Sequence, residues 1–355
     1  MTILQLIDTL EAGGAEKIAV SYANALAETG ILSALVATRA EGPLKQQLDS
    51  KVRYHFLHKK KALDLKAVFS LRSFVKRNQI TIVHAHGTSF FTAAILKICY
   101  PSIKIIWHEH FGGRAGQDLK SNLPLWACSF LFSEIFVVNH QLENWVKKTL
   151  GYKNVAFLPN FAVFENLTET TELQGESGKR IVLLANLKHP KNHLKVLEAF
   201  FNSALSESGW SLHFVGKDFE DDYSKNLKEF AAYNNLDALY FYNGKSDIRN
   251  ILSQASIGLL ASTSEGFPVT ILEYGLAKLP VISTNVGFCG AIISDGKNGL
   301  LFDPADGGEL CKKMVRLAND AMHRKSFGLL LYKTVNERFS KEIVIDQLIS
   351  KYKQL

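Results

Sequence analysis

The stretch Ser264-Glu265-Gly266-Phe267-Pro268-Val269-Thr270-Ile271-Leu272-Glu273 decides the fold. It follows the apolar run Ile257-Gly258-Leu259-Leu260-Ala261, which reads as a buried parallel strand. Gly266-Phe267-Pro268 makes a tight loop, and a helix starts near Pro268, where the missing N–H was unpaired anyway. The free N–H groups of such a helix point beyond the strand end and form a ready seat for a diphosphate. Glu265 stands before the helix and Glu273 about a turn and a half inside it. The two carboxylates can therefore reach different parts of one ligand.

Outward from this stretch the chain repeats one plan. In the first half, strands are expected at residues 3–7, 33–37, 80–84, 104–107 and 135–138. In the second half they are expected at 181–184, 211–215, 239–242, 257–260 and 281–283. Segments with helical spacing, such as 15–29, lie between them. Alternation of this kind gives a parallel sheet covered on both faces, once per half. Residues 165–178 between the halves are polar and acidic with few apolar anchors, the composition of a linker. The expected organisation is an α/β domain over 1–165, a linker over 166–179, a second α/β domain over 180–339 and a terminal helix over 340–355. Two such domains are expected to face each other across a central cleft, the default ligand site.

Composition narrows the class. The chain has 355 residues, 47% of them hydrophobic, enough for two cores. Its four cysteines (Cys99, Cys128, Cys289 and Cys311) show no metal-ligand spacing and read as reduced structural thiols. The first residues lack a basic leader and read as a strand; the longest apolar stretch, 123–138, contains Pro124 and Glu134 and is too short to span a bilayer. A cytoplasmic protein is expected. The net charge of +7 lies wholly in residues 1–165, with 19 Lys/Arg against 12 Asp/Glu. No nucleic-acid-binding motif accompanies that excess, so an anionic membrane surface or a phosphate-bearing acceptor is the partner it suggests. The basic run and amphipathic pattern of residues 57–77 could dock on such a surface; an ordinary half-buried helix with a solvated basic face fits equally. Residues 111–132, rich in Gly, Phe and Trp, read as a mobile acceptor loop.

Several loops at strand ends carry chemistry. Gly13 and Gly14 open a helix after the first strand and let backbone approach a ligand, although a plain strand–helix turn also fits. The spacing is not G-x-G-x-x-G, which counts against a dinucleotide-dependent dehydrogenase. His84-Ala85-His86 and His108-Glu109-His110 end two buried strands. They could hold a metal across adjacent strands, but no carboxylate–histidine helix motif supports one. Asn186-Leu187-Lys188-His189-Pro190-Lys191 follows another strand, and lysine there can neutralise a leaving phosphate. Gly244-Lys245-Ser246-Asp247 lies between a strand and a helix, with Ser246 or Asp247 as N-cap.

Together these segments resemble, in order and over nearly the whole chain, the retaining glycosyltransferases of family 4, whose signature is two glutamates separated by seven residues. The resemblance implies the GT-B fold of two Rossmann-like domains, with the terminal helix crossing back to the first. It implies that Glu273 holds the ribose hydroxyls, that Glu265 contacts the donor sugar and that His110 lines the site near that sugar, with His108 as the shifted alternative. It also implies that Gly13, Gly14, Lys191, Gly266, Phe267, Pro268 and Val269 face the donor diphosphate, and that Gly244 lies near the base. The family's usual arginine is Asn186 here, with Lys188 as the expected substitute, and a frequent glutamate is Ala291. The implied activity transfers a hexose or N-acetylhexosamine, with retention, from a nucleotide-sugar, most commonly a UDP-sugar, to a glycan or polyprenyl-diphosphate-linked acceptor in surface-polysaccharide synthesis. No Asp-x-Asp motif occurs to hold a divalent ion, so no metal and no other cofactor is expected. A nucleotide-sugar epimerase or hydrolase on the same fold is the alternative, and a non-catalytic sugar-nucleotide-binding protein is a third.

Overall fold

A computed structural model describes residues 1–11, 13–164 and 168–355. The chain divides into two compact units, Met1–Asn160 with Lys341–Leu355, and Phe161–Ser340. In the first unit the elements run β1 (Thr2–Thr9), α1 (Gly14–Glu28), β2 (Leu32–Ala40), β3 (Arg53–Phe56), α2 (Leu65–Arg77), β4 (Ile82–His86) and α3 (Phe90–Cys99). They continue through β5 (Lys104–Glu109), α4 (Leu123–Ser129), β6 (Glu134–Val137), α5 (His140–Trp145) and β7 (Val155–Phe157). The strands form one parallel sheet in the order β3-β2-β1-β4-β5-β6-β7.

The two edge strands are additions to the sequence reading. Arg53-Tyr54-His55-Phe56 and Val155-Ala156-Phe157 are half-buried or exposed along their length, so neither shows the apolar run that betrays a central parallel strand. The central strands β1, β4, β5 and β6 are buried almost throughout.

The second unit runs β8 (Arg180–Leu184), α6 (His193–Asn202), β9 (Ser211–Val215), α7 (Asp222–Tyr233), β10 (Leu239–Tyr242), α8 (Ile248–Ser253), β11 (Ile257–Leu260) and α9 (Val269–Leu276). It ends with β12 (Val281–Thr284), α10 (Cys289–Ile292), β13 (Leu300–Phe302), α11 (Gly307–Asn319) and α12 (Ala321–Phe339). Its parallel sheet has the order β10-β9-β8-β11-β12-β13. The last helix, α13 (Lys341–Gln354), belongs to the first unit. Val344, Ile345, Leu348 and Tyr352 are buried there, and Lys341 and Lys351 pair with Glu28 and Glu134.

The segment expected as a linker is held down. Residues 166 and 167 lie outside the described residues. Beyond them, Thr170 and Thr171 donate backbone N–H bonds of 2.9 and 2.8 Å to the Asp247 carboxylate. Leu173 is buried and its N–H reaches Gln254. Asp247 is therefore spent on this strap and makes no side-chain cap on α8. Burial raises its pKa, but the bonds from Thr170, Thr171 and Asn250 outweigh that and hold it well below the usual carboxylate range.

Two readings of the first unit also change. Lys59, counted in the solvated basic run, is buried and donates to the Thr92 hydroxyl at 2.7 Å. Lys60, Lys61 and Lys66 are exposed, beside exposed Leu65 and Phe69 on α2. The expected acceptor loop has structure: Glu109 pairs with Arg114, and Trp145 Nε1 donates to Gln117 O at 2.7 Å. Among the described residues no helix is long and apolar enough to cross a membrane.

Candidate active site

In the second sheet β8 lies between β9 and β11, so the chain winds outward from it in both directions. Crevices at such a switch point, beyond the carboxyl ends of the strands, are where open α/β sheets bind ligands. The loops after β8 and β11 leave side by side there. Thr263 N–H donates to Pro190 O at 2.9 Å, stitching the two loops. Lys191, on the first loop, donates to Glu265 Oε1, on the second, at 2.6 Å. Both side chains are mostly shielded, 28% and 12% exposed, which makes this a directed contact and not a surface pair. Ala185, Lys191, Ser262 and Thr270 line a small concavity over the same strand ends.

Two devices keep this pair in place. Tyr274 on α9 is fully buried; its hydroxyl accepts from Leu184 N–H and donates to Leu259 O, each at 2.9 Å, bridging the ends of β8 and β11. The ring lies over Gly258, where a Cβ would come within 2.8 Å of it. Gly287, at φ +55°, lets the chain after β12 pass so close to Glu265 O that an added Cβ would sit 2.0 Å from it. Burial and the nearby Glu265 carboxylate push the Cys289 thiol up to about 12, so it stays protonated.

Glu273 lies on α9, 6% exposed, one position before Tyr274. Pro268 occupies the N-cap position of α9 and Val269 is its first residue, following the buried turn residue Gly266. The Phe267 side chain turns away into an aromatic cluster, stacked on Phe288 at 5.1 Å and edge-on to Phe339 at 5.6 Å. Only its backbone is left to serve the loop. Asn186, in place of the expected arginine, accepts Lys217 N–H at 2.9 Å and so ties the loop after β8 to the loop after β9. Lys188 and Lys217 approach the ring of Phe219 at 5.6 and 5.4 Å. Gly244 N–H bonds Asn243 Oδ1, and its α-carbon faces Lys217. The structure thus gathers Lys188, Gly244 and the unforeseen Lys217 around three neighbouring strand ends. Gly216, required because a Cβ would meet Ala185 O, was the available sequence signal for that close approach.

In the first unit Gly13 is the N-cap of α1 and Gly14 its first residue; a Cβ on Gly14 would meet nothing within 4 Å. The Glu16 carboxylate folds back against Gly13 and accepts the Thr9 hydroxyl at 3.3 Å. One carboxylate therefore already lies against the start of this helix, in the polarity the helix dipole favours.

The histidines are packed together. His86 stands in register with His108 across β4 and β5, and Gln5 of β1 faces His84. His84 bonds Tyr352 OH at 2.6 Å and His108 at 3.1 Å; His86 bonds Gln5 at 2.8 Å and His110 at 2.9 Å. Burial pushes the first three pKa values well below the ordinary histidine value and that of His110 to about 3, so all four are neutral. Nitrogen atoms of His84, His86 and His108 lie within 4.8 Å of one another. A neutral imidazole has one lone pair, and the contacts of His84 and His86 use both nitrogens of each ring, so this donor set does not fit a metal without breaking the network.

Known proteins place this architecture. A family model for glycosyl transferases group 1 matches residues 169–329, and one for glycosyltransferase family 4 matches residues 12–163. The chain belongs to these GT-B glycosyltransferases. An uncharacterized glycosyltransferase of Haemophilus influenzae is 23% identical over 315 residues, 87% of this chain and 88% of the relative. The Escherichia coli UDP-Gal:alpha-D-GlcNAc-diphosphoundecaprenol alpha-1,3-galactosyltransferase is 22% identical, covering 88% of this chain and 89% of its own. Among solved structures, Anabaena HepE in complex with UDP and glucose has a TM-score of 0.84 at 15% identity, covering 100% of both chains. This glycosyltransferase therefore shares the two parallel-sheet, Rossmann-like domains of its family.

Proposed function

We propose that this glycosyltransferase moves a sugar from a UDP-sugar, with retention of anomeric configuration, to a lipid-linked glycan acceptor in surface-polysaccharide assembly. The observation that carries the reading is the Lys191–Glu265 contact over the ends of β8 and β11, with Glu273 a turn and a half into α9. Cleaving the anomeric C–O bond leaves negative charge on the diphosphate and positive charge on the sugar, and groups of both signs are needed close together. The N-terminus of α9 and Lys191, with Lys188 behind it, would meet the diphosphate; Glu265 would face the sugar cation, and Glu273 the ribose hydroxyls. Lys191 can touch the leaving group and hold Glu265 at once. The family resemblance gives His110 and the Gly13-Gly14 helix start roles in the same reaction. With the diphosphate charge met by these groups, turnover needs no divalent ion.

The activity of the E. coli relative supports the lipid-linked acceptor, and UDP in the HepE structure supports the nucleotide. Exposed Lys60, Lys61 and Lys66 beside Leu65 and Phe69 support peripheral contact with an anionic membrane, where such an acceptor resides. The test is nucleoside-diphosphate release from a panel of UDP- and GDP-sugars, in EDTA, with and without a polyprenyl-diphosphate-sugar. Release from one UDP-sugar that rises with acceptor is the expected result. Release indifferent to acceptor would move the assignment to an epimerase or hydrolase.

A further inference from the structure

A buried parallel strand ordinarily presents Val, Ile and Leu, yet one sheet face of the first unit carries Gln5, His84, His86, His108 and His110. Two hydrogen-bonded arms run from the single amide of Gln5. In one, Gln5 Nε2 donates to Tyr352 OH at 3.3 Å. That hydroxyl has one proton, which goes to His84 Nδ1 at 2.6 Å. His84 must then carry its proton on Nε2 and donate to His108 Nδ1 at 3.1 Å, so His108 also carries its proton on Nε2. In the other arm Gln5 Oε1 accepts from His86 Nε2 at 2.8 Å. His86 Nδ1 is then a lone pair that accepts from His110 Nε2 at 2.9 Å. The far atoms, His108 Nε2 and His110 Nδ1, are buried and have no hydrogen-bond partner among the described residues. One is a donor and the other an acceptor.

We infer that the Gln5 amide sets the proton position on all four histidines and thereby holds His110 Nδ1 as a hydrogen-bond acceptor for a hydroxyl of the transferring sugar, a step that rests on the function proposed above. Rotating the amide by half a turn would invert every link: all four protons would move to Nδ1, and His110 Nδ1 would become a donor. Gln5 is thus a positioning residue acting through His86. Tyr352, from α13, holds only the His84–His108 arm. His110, which stays neutral, accepts a hydrogen bond and does not take up the proton.

Long-range 1H–15N correlation spectra of the full chain labelled at histidine read the tautomers directly, with resonances assigned by single substitution. The wild type should show His84, His86, His108 and His110 all protonated at Nε2. Gln5→Glu removes the amide donor, so the Tyr352 proton turns to the carboxylate; His84 and His108 should move to Nδ1–H while His86 and His110 stay at Nε2–H. Tyr352→Phe should release His84 and His108 and leave His86 and His110 unchanged, which covers the case in which Gln5→Glu does not fold. A wild type in which any of the four rings carries its proton on Nδ1, or a Tyr352→Phe variant in which His86 and His110 switch, overturns the assignment. With the UDP-sugar identified, Gln5→Leu should lower kcat about tenfold while KM for the donor holds, the loss of one hydrogen bond made at the reacting sugar. An unchanged kcat overturns the link to His110. If the wild type turns over no donor, the proposed function has failed, and the tautomer pattern alone decides the role of Gln5.

Discussion

Lys191 and Glu265, 74 positions apart in the chain, meet at 2.6 Å from loops that follow adjacent parallel strands. The contact couples a cation suited to a leaving diphosphate with a carboxylate suited to a sugar cation, so the two residues are expected to act as a unit. Lys191→Ala and Glu265→Gln should each lower kcat about 10²-fold, and the double variant should lose much less than the product of the two. Single-turnover rates of the four proteins complete the cycle. Additive losses would mean that the two residues contribute independently and do not act as a unit.

Glu273 calls for a different kinetic signature. It is assigned to the ribose, far from the bond that breaks, so it contributes equally in ground and transition states. Glu273→Gln should raise the Kd for UDP about tenfold or more and leave kcat within a few-fold. Titration calorimetry with UDP, set beside the saturated rate, separates the two.

Tyr274 tests the scaffold beneath both glutamates. Its hydroxyl satisfies Leu184 N–H and Leu259 O at the ends of β8 and β11. Tyr274→Phe keeps the ring over Gly258 but leaves the Leu184 N–H unpaired, at a cost of about 1–3 kcal/mol. The urea midpoint of the second unit should fall accordingly, with KM and kcat both worsened because the loops it anchors carry Lys191 and Glu265.

The fold was legible because its central strands are buried on both faces and read as apolar runs, and because Glu265 and Glu273 flank a turn that only a strand–helix junction explains. Strands 211–215, 239–242 and 257–260 have the bounds the sequence suggested. Edge strands such as Arg53–Phe56 were not legible, since half-burial erases the pattern. Lys59 read as solvated because sequence does not show that its neighbour in space is Thr92. Likewise Asp247 read as a helix cap, whereas a tertiary strap through Thr170 and Thr171 takes its carboxylate. Lys217 and Tyr274 were missed for the same reason: their partners lie 31 and 90 positions away.

The buried histidines predict how stability depends on pH. Burial pushes His84, His86 and His108 well down, His110 to about 3, and His193 and His213 of the second unit to about 4. In the unfolded chain a histidine titrates near ~6.5, so below that pH the unfolded state binds more protons than the folded one. The stabilisation is complete above pH ~6.5 and is lost as pH falls toward the folded values, at about 1.4 kcal/mol per pH unit for each histidine held neutral. Asp247, also depressed, acts in the same direction but only below its unfolded value near ~3.9. Urea midpoints should therefore change little between pH 8 and 7 and fall steeply between 6.5 and 5, before any carboxylate with a depressed pKa contributes; burial raises Glu109 and Glu134, which act in the opposite direction. A flat profile in that window would show that the cluster accepts protons in the folded state. Activity offers the complementary check: with the His110 pKa near 3, the single-turnover rate of folded enzyme should show no histidine inflection between pH 6 and 7.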